Sequence, residues 1–406
     1  MKFFLILCSA VCLAQTPAEL LNSPTVKAAL DFARRHEPDA IEQQIRLCEI
    51  PAPPFKEEQR GREVKRLFEE LGLQNVFIDK AGNVVGTRPG KSRTPNLVLS
   101  AHLDTVFLEG TDVKVTRNGS VLKGPGIADD CRGLAVLLAT IRALNEAKVE
   151  TPGTITFVAD VGEEGLGDLR GMKQLFGETL KRRIDKFVSI DGTGSAIVNT
   201  GVGSLRYRVT FKGPGGHSYG AFGMANPIQA MGRAIAKIDA FDVPASPKTT
   251  FNVGRVGGGT SVNAIPFEAW MEVDLRSVDP ASLKALDTKF QAAVSDSVEE
   301  ENRRWNNHGA VRASAELAGI RPAGQTPSGS AIVQTALAVA RALQWNESLR
   351  EGSTDSNVPM NLGIPAITIG GGGTGAGAHS LEETFDTTDS WRGTQRAILL
   401  AVSLAR

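Results

Sequence analysis

The spacing of apolar residues changes twice along the chain, and each change marks a different kind of structure. In residues 57–71, Val64, Leu67, Phe68 and Leu71 fall at i, i+3, i+4 and i+7, the spacing of one helix face, and Gly72 is a fitting stop. Residues 25–36 and 39–50 also read as helices, until Pro51-Ala52-Pro53-Pro54 breaks the pattern. Residues 75–79 and 83–88 resemble a hairpin around Ala81-Gly82. Residues 96–101, 154–161 and 186–190 are largely apolar runs, with an apolar helix at 132–147 between the first two. Strands without polar alternation are covered on both faces, so this rhythm predicts an α/β domain with a mostly parallel sheet under helices.

Near Gly201 the period shifts. Leu205, Tyr207, Val209 and Phe211 alternate with polar residues, which predicts a sheet with one wet face. Asn226-Pro227 is a cap followed by a first-turn proline, and Ile228, Met231, Ile235 and Ile238 give the helix after it one apolar side. Strands at 249–256 and 267–276, a helix at 280–302 and a strand at 311–317 complete a β-α-β-β-α-β order, that of a ferredoxin-like module. After Arg321-Pro322-Ala323-Gly324 the α/β rhythm resumes. The chain therefore reads as a catalytic domain at 20–202 and 320–406, interrupted by an α+β lid at 203–319.

Residues 1–14 read as a secretion signal: Lys2, an apolar run at 3–13, and a small-x-small site at Cys12-Leu13-Ala14. Leu7 and Val11 are too bulky to precede a lipidated cysteine, so an ordinary signal and a secreted or periplasmic location are expected. No later segment has the apolar length of a membrane span. Lys plus Arg and Asp plus Glu stand at 45 each, so the chain carries no electrostatic footprint for nucleic acid. Removal of the signal leaves Cys48 and Cys131, which read as two unpaired thiols.

The candidate chemistry lies at the ends of the apolar strands. One runs into His102-Leu103-Asp104, another into Glu163-Glu164, and a third into Asp191. In open α/β sheets ligands bind beyond the carboxyl ends of the strands. Asp129 follows the glycine-containing loop before the helix at 132–147, and His379 lies in Gly377-Ala378-His379-Ser380. Alone, each acid reads as a turn or helix cap; together, two imidazoles and three carboxylates suit zinc, with cobalt or manganese possible. Two divalent ions carry four positive charges, and Asp129, Glu164 and Asp191 three negative ones, so a bridging hydroxide balances the site. His36 and His308 sit in polar stretches and take no role.

His102-Leu103-Asp104-Thr105-Val106, Gly126-Ile127-Ala128-Asp129-Asp130, Glu163-Glu164-Gly165 and Asp191-Gly192 resemble the successive motifs of the co-catalytic dizinc exopeptidases. That family includes glutamate carboxypeptidase, peptidase T, succinyl-diaminopimelate desuccinylase, acetylornithine deacetylase and the aminoacylases. The resemblance covers nearly the whole chain after residue 14, lid included. It implies that Asp129 bridges two metals, that His102 and Asp191 complete one, and that Glu164 and His379 complete the other. Glu163 becomes the general base, and Asp104 holds the second ring nitrogen of His102.

In the lid, Gly213-Pro214-Gly215-Gly216-His217-Ser218 resembles the family loop whose histidine acts in the partner subunit's site, which implies a homodimer. Asn263 and Arg276 match substrate-binding positions, and Arg276 is suited to grip a carboxylate. Thr354, Asp355 and the loop 370–373 resemble loops near the substrate. Cys131 departs from the family, which usually has Lys there. The expected activity is a secreted metallopeptidase acting on di- and tripeptides, with a slight lean to the tripeptidase branch; the alternative is a deacylase of N-acyl amino acids. A peptide-binding protein on an inactive scaffold and a phosphoesterase are the remaining rivals.

Overall fold

The computed structural model describes residues 15–346 and 348–406. The expected secretion signal at 1–14 lies outside the described residues. Helices α1 (Pro24–Arg35) and α2 (Glu37–Cys48) each carry proline in the first turn, where its missing N–H has no helical partner to lose. α3 (Glu58–Glu70) buries Val64, Leu67 and Phe68, the face that the spacing predicts. β1 (Gln74–Ile78) and β2 (Val84–Arg88) form the expected hairpin. Then come β3 (Asn96–His102), α4 (Cys131–Glu146), β4 (Thr154–Asp160), β5 (Lys186–Ile190) and β6 (Ile197–Gly201).

The lid contains β7 (Gly203–Lys212), α5 (Pro227–Asp239), β8 (Thr249–Gly258), β9 (Glu268–Ser277), α6 (Pro280–Arg304) and β10 (Arg312–Arg321). Beyond it lie α7 (Ala331–Ala342), β11 (Ala366–Ile369) and α8 (Trp391–Leu404).

Among the described residues, one sheet runs β1-β2-β4-β3-β5-β11-β6 and ends on Gly324–Gln325, with Leu349–Gly352 also paired to β6. Its core, β4-β3-β5-β11, is parallel; β1, β2, β6 and Gly324–Gln325 join it antiparallel, and Leu349–Gly352 pairs parallel to β6. Both faces of the core are covered. Leu97, Leu99 and Phe157 pack with Leu134, Leu137 and Ile141 of α4. Val98, Val158 and Phe187 pack with Leu169, Met172 and Phe176 on the other side. This two-sided burial explains why these strands read as apolar runs rather than alternations.

The lid sheet is antiparallel, in the order β8-β9-β7-β10, and α5 and α6 cover one face of it. Val209, Phe211, Met271 and Leu275 meet Phe290 there, while Arg206, Asp274 and Arg276 occupy the other face. Asn226 caps α5 by accepting from the N–H groups of Ile228 and Gln229. β10 runs to Arg321, four residues past the strand end that the pattern predicts. A register shift between Leu317 and Gly319 breaks the two-residue period just where the pattern fades.

The chain crosses between the two units at 201–203 and again at 321–323, and one side chain pins both crossings. Asn357 Nδ2 donates to Val202 O at 2.9 Å and to Pro322 O at 3.0 Å, and its Oδ1 accepts from Thr354 N at 3.0 Å. The crossings touch each other: a Cβ on Gly203 would lie 2.6 Å from Ala323 N. Asn357→Ala leaves these backbone groups without their partners and should lower stability by about 1–3 kcal/mol, read as a lower urea midpoint. A midpoint equal to wild type would show that Asn357 is dispensable to the junction.

Candidate metal centre

Because β3, β4 and β5 are parallel neighbours, their carboxyl ends open side by side. That places His102, Glu163 and Glu164, and Asp191 around one crevice. Asp129 enters from the loop before α4. His379 enters from the turn between the short strands Thr374–Ala376 and Thr384–Asp386, in a left-handed conformation with φ 66°. His102 Nε2 lies 3.1 Å from Asp129 Oδ1. His379 Nε2 lies 3.2 Å from Asp129 Oδ2 and 3.0 Å from Glu164 Oε1. Each oxygen of Asp129 thus faces a different histidine. Two donor clusters, His102–Asp129–Asp191 and Asp129–Glu164–His379, have their ligand atoms within 4.8 Å of one another and share Asp129. All five predicted ligands come together.

Buried carboxylates hold the loops that bring them there. Asp130 accepts from the N–H groups of His102 at 3.1 Å, Gly133 at 3.0 Å and Gly192 at 3.3 Å, joining the end of β3, the start of α4 and the turn after β5. Its peptide bond with Asp129 is cis. Glu383 accepts from the N–H groups of Gly126, Ala128 and Asp129 at 3.1, 2.8 and 3.0 Å. The sequence reading missed Glu383, because the small sheet that carries it is made of three-residue strands too short to show a period.

Asp104 departs from its expected role. Its carboxylate lies 3.7 Å from His102 Nδ1 and instead accepts from the N–H groups of Gly162, Glu163 and Glu164 at 2.9, 3.1 and 2.9 Å. The backbone O of Asp104, 3.0 Å from His102 Nδ1, is what fixes the ring. Three converging N–H groups satisfy a buried carboxylate better than one imidazole, and the carbonyl leaves Nε2 as the ligand nitrogen.

The crowded acids and imidazoles perturb one another. Burial, reinforced by the Glu164 and Asp191 charges and opposed by Arg321 and His102, pushes Glu163 up to about 8. Burial and Asp129 push Asp191 up to about 7. Hydrogen bonds to Asp129 and Glu164 raise His379 to about 10. Burial opposes charge on His102, but Asp129, Asp130 and Asp104 outweigh it and raise the ring well above its usual value. Burial pushes Asp129 upward too, yet its hydrogen bonds to both histidines hold it below the usual carboxylate range. Protons on the two imidazoles stand where cations would balance the acids, so the donor set fits a pair of divalent ions.

The ligands open into a cleft of about 470 Å³, lined also by Arg206, Arg276, Arg321, Ser353 and Thr354. Arg276 and Thr354 are therefore where the sequence places them. Arg276 Nε donates to Asp274 Oδ2 at 2.6 Å, and Arg206 Nε lies 3.6 Å from the other oxygen of Asp274. Asp355 is not in the lining: its carboxyl is buried beside Asp160, and burial with the Asp160 and Glu163 charges raises it well above its usual value. The short helix that follows Asp355 turns the chain inward there. His217 and Asn263 stand together on the exposed lid surface, outside the cleft lining, where Gly216–His217 pairs with Ala264–Ile265 and Ser218 N donates to Asn263 O.

The loop 370–373 serves packing, since a Cβ on Gly370 would lie 2.2 Å from Thr193 O. Cys48 and Cys131 are free and buried, the first donating to Pro125 O at 3.4 Å. Arg206 and Arg321 went unread in the sequence. Arg321 stood there only as the start of a domain boundary, and Arg206 as a polar residue on a wet strand face.

Residues 98–402 match the family described as Peptidase family M20/M25/M40. The chain is 26% identical over 352 residues to the uncharacterized protein YqjE of Bacillus subtilis, covering 82% of this chain and 90% of that one. It is 26% identical over 344 residues to succinyl-diaminopimelate desuccinylase of Corynebacterium glutamicum, covering 82% and 88%. A tripeptidase structure from Staphylococcus aureus shares the fold with a TM-score of 0.75 at 23% identity, over 90% of this chain and 98% of that one. With its donor set assembled at the strand ends, this chain belongs to peptidase family M20/M25/M40, a family of metal-dependent hydrolases.

Proposed function

We propose that this protein is a dizinc exopeptidase acting outside the cytoplasm, cleaving the amide bond of di- or tripeptides next to a free carboxylate. The observation that carries the reading is Asp129, whose two oxygens face His102 and His379, each in its own donor cluster. Asp129 would bridge the ions, with His102 and Asp191 on one and Glu164 and His379 on the other; cobalt or manganese suits the same donors. Bound ions there supply Lewis acidity and a water acidic enough to attack at neutral pH.

The chain's own residues supply the rest. Glu163 takes the proton of the attacking water and returns it to the leaving nitrogen. Arg276, partly exposed in the cleft, offers a planar fork to the substrate carboxylate. His217 Nδ1 accepts from the N–H groups of Tyr219 and Gly220, so the neutral ring carries its proton on Nε2, ready to donate to an oxyanion. A second copy of the chain is needed to bring that ring to a cleft. Tyr219, Phe222 and Val262, exposed beside His217, offer apolar surface for a homodimer.

A deacylase of N-acyl amino acids would use the same residues, and the relative named a desuccinylase supports that alternative. The arginines of the cleft meet a phosphoesterase's need for basic groups, so family membership rather than charge sets that rival aside. The gathered ligands and Glu163 count against an inactive binding protein.

The direct test is turnover by metal-loaded protein on di- and tripeptides beside N-acyl amino acids. Glu163→Gln should reduce kcat by about 10²–10⁴-fold with metal content unchanged; wild-type turnover in this variant would remove Glu163 from the mechanism.

Metal binding carries a pH signature. The raised acids hold protons in the folded, metal-free state, and the stability this gives is complete below their unfolded values near 4. It is lost as pH rises through about 7 for Asp191 and about 8 for Glu163. Metal-free protein should therefore lose Tm between pH 5 and 8.5, while the Tm gain on adding zinc grows, because ligands bind only after shedding protons. A zinc-induced gain that shrinks with pH would contradict this donor set.

Mixing subunits tests the dimer. Glu163→Gln and His217→Ala chains, inactive separately, should recover activity when refolded together, since a mixed dimer has one intact site. No recovery in a verified mixed dimer would show that His217 does not act across the interface.

A further inference from the structure

Arg321 holds no place in the ligand set, yet it is bonded to both the main chain and the side chain of Glu163. It is the last residue of β10, where the lid sheet meets the second crossing into the catalytic domain. Its Nη1 donates to Glu163 Oε1 at 3.0 Å and to Ser353 Oγ at 3.1 Å, and its Nη2 donates to the backbone O of Glu163. The Arg321 and Glu163 side chains are each only 6% exposed. A guanidinium that bonds a residue's backbone and side-chain oxygens together fixes that side chain's rotamer. On the other side of the residue, the Asp104 carboxylate holds the Glu163 N–H. Among the described residues, none donates a hydrogen bond to Glu163 Oε2.

We propose that Arg321 is a positioning residue, which occupies one oxygen of Glu163 and leaves the other to carry the proton. This rests on the reading of Glu163 as the proton carrier. The rival role, a clamp for the substrate carboxylate, fits the exposed guanidinium of Arg276 better. Arg276 has 38% of its side chain open in the same cleft, whereas Nη1 and Nη2 of Arg321 already donate to Glu163 and Ser353, and its unpartnered Nε is buried. Because Arg321 belongs to the lid and Glu163 to the catalytic domain, the posture of the base depends on where the lid stands.

The test compares zinc-loaded wild type, Arg321→Ala and Arg321→Lys on the best carboxylate-bearing substrate and on its carboxamide counterpart. Arg321→Ala should lose about 10–100-fold in kcat on both substrates, with KM and zinc content little changed. Guanidinium ion added to Arg321→Ala should restore part of kcat. Arg321→Lys, which keeps the charge but not the fork, should fall between and tests the same point if the alanine variant does not fold. A loss confined to KM on the carboxylate substrate would make Arg321 a substrate clamp, and an unchanged kcat would remove it from the site. Wild type inactive on every amide would instead overturn the hydrolase reading beneath the proposal.

Discussion

A carboxylate buried in protein must find hydrogen-bond donors, and in this chain three of them find theirs on the backbones of the loops that carry the chemistry. Asp130 joins the ends of β3 and β5 to the start of α4, Asp104 gathers the turn at 162–164, and Glu383 gathers the turn at 126–129. Loops are ordinarily the least constrained part of an α/β sheet. Here each is tied at the residue next to a ligand, so the spacing of the donors comes from hydrogen bonds rather than from the strands alone. A metal site built on such loops is preorganised before any ion arrives, which lowers the ordering cost of binding.

The same economy governs the junction with the lid. Thr354-Asp355-Ser356-Asn357 resembles a substrate loop in the sequence, and one of its residues, Thr354, does face the cleft. Asn357 has the larger structural part, satisfying a carbonyl on each crossing strand at once. Arg321 ends one of those strands, one residue before Pro322, and donates to Glu163, so the crossing and the base are joined by direct hydrogen bonds. Lid position and cleft chemistry are connected through short, buried contacts rather than through a long path.

Much of this was legible from residue order. The parallel core showed as apolar runs because both its faces are covered, and the lid showed as alternation because only one of its faces is. His102, Glu164 and Asp191 were legible because strand ends converge in this kind of sheet, and Asp129 and His379, which lie in loops, because their residue types complete a metal-ligand set. Glu383, Arg206 and Arg321 were not. Each acts through a partner distant in sequence, and a lone acid in a turn or an arginine at a strand end or on a wet face has no local pattern to mark it. Asp104 stands in the expected neighbourhood with a different partner, since the resemblance that pairs it with His102 does not say which of several donors its carboxylate meets.

Gly203 and Ala323 are in contact, and Ser204 lies opposite Arg321 in the paired strands. For the catalytic half, then, everything between them is a single long excursion whose ends stand about one strand spacing apart, roughly 5 Å. The entropy of closing such a loop grows only with the logarithm of its length. The half that holds the acids can therefore keep its topology whatever length is threaded through that gap, so the lid can vary in size wherever Arg206, Arg276 and Arg321 still reach the cleft.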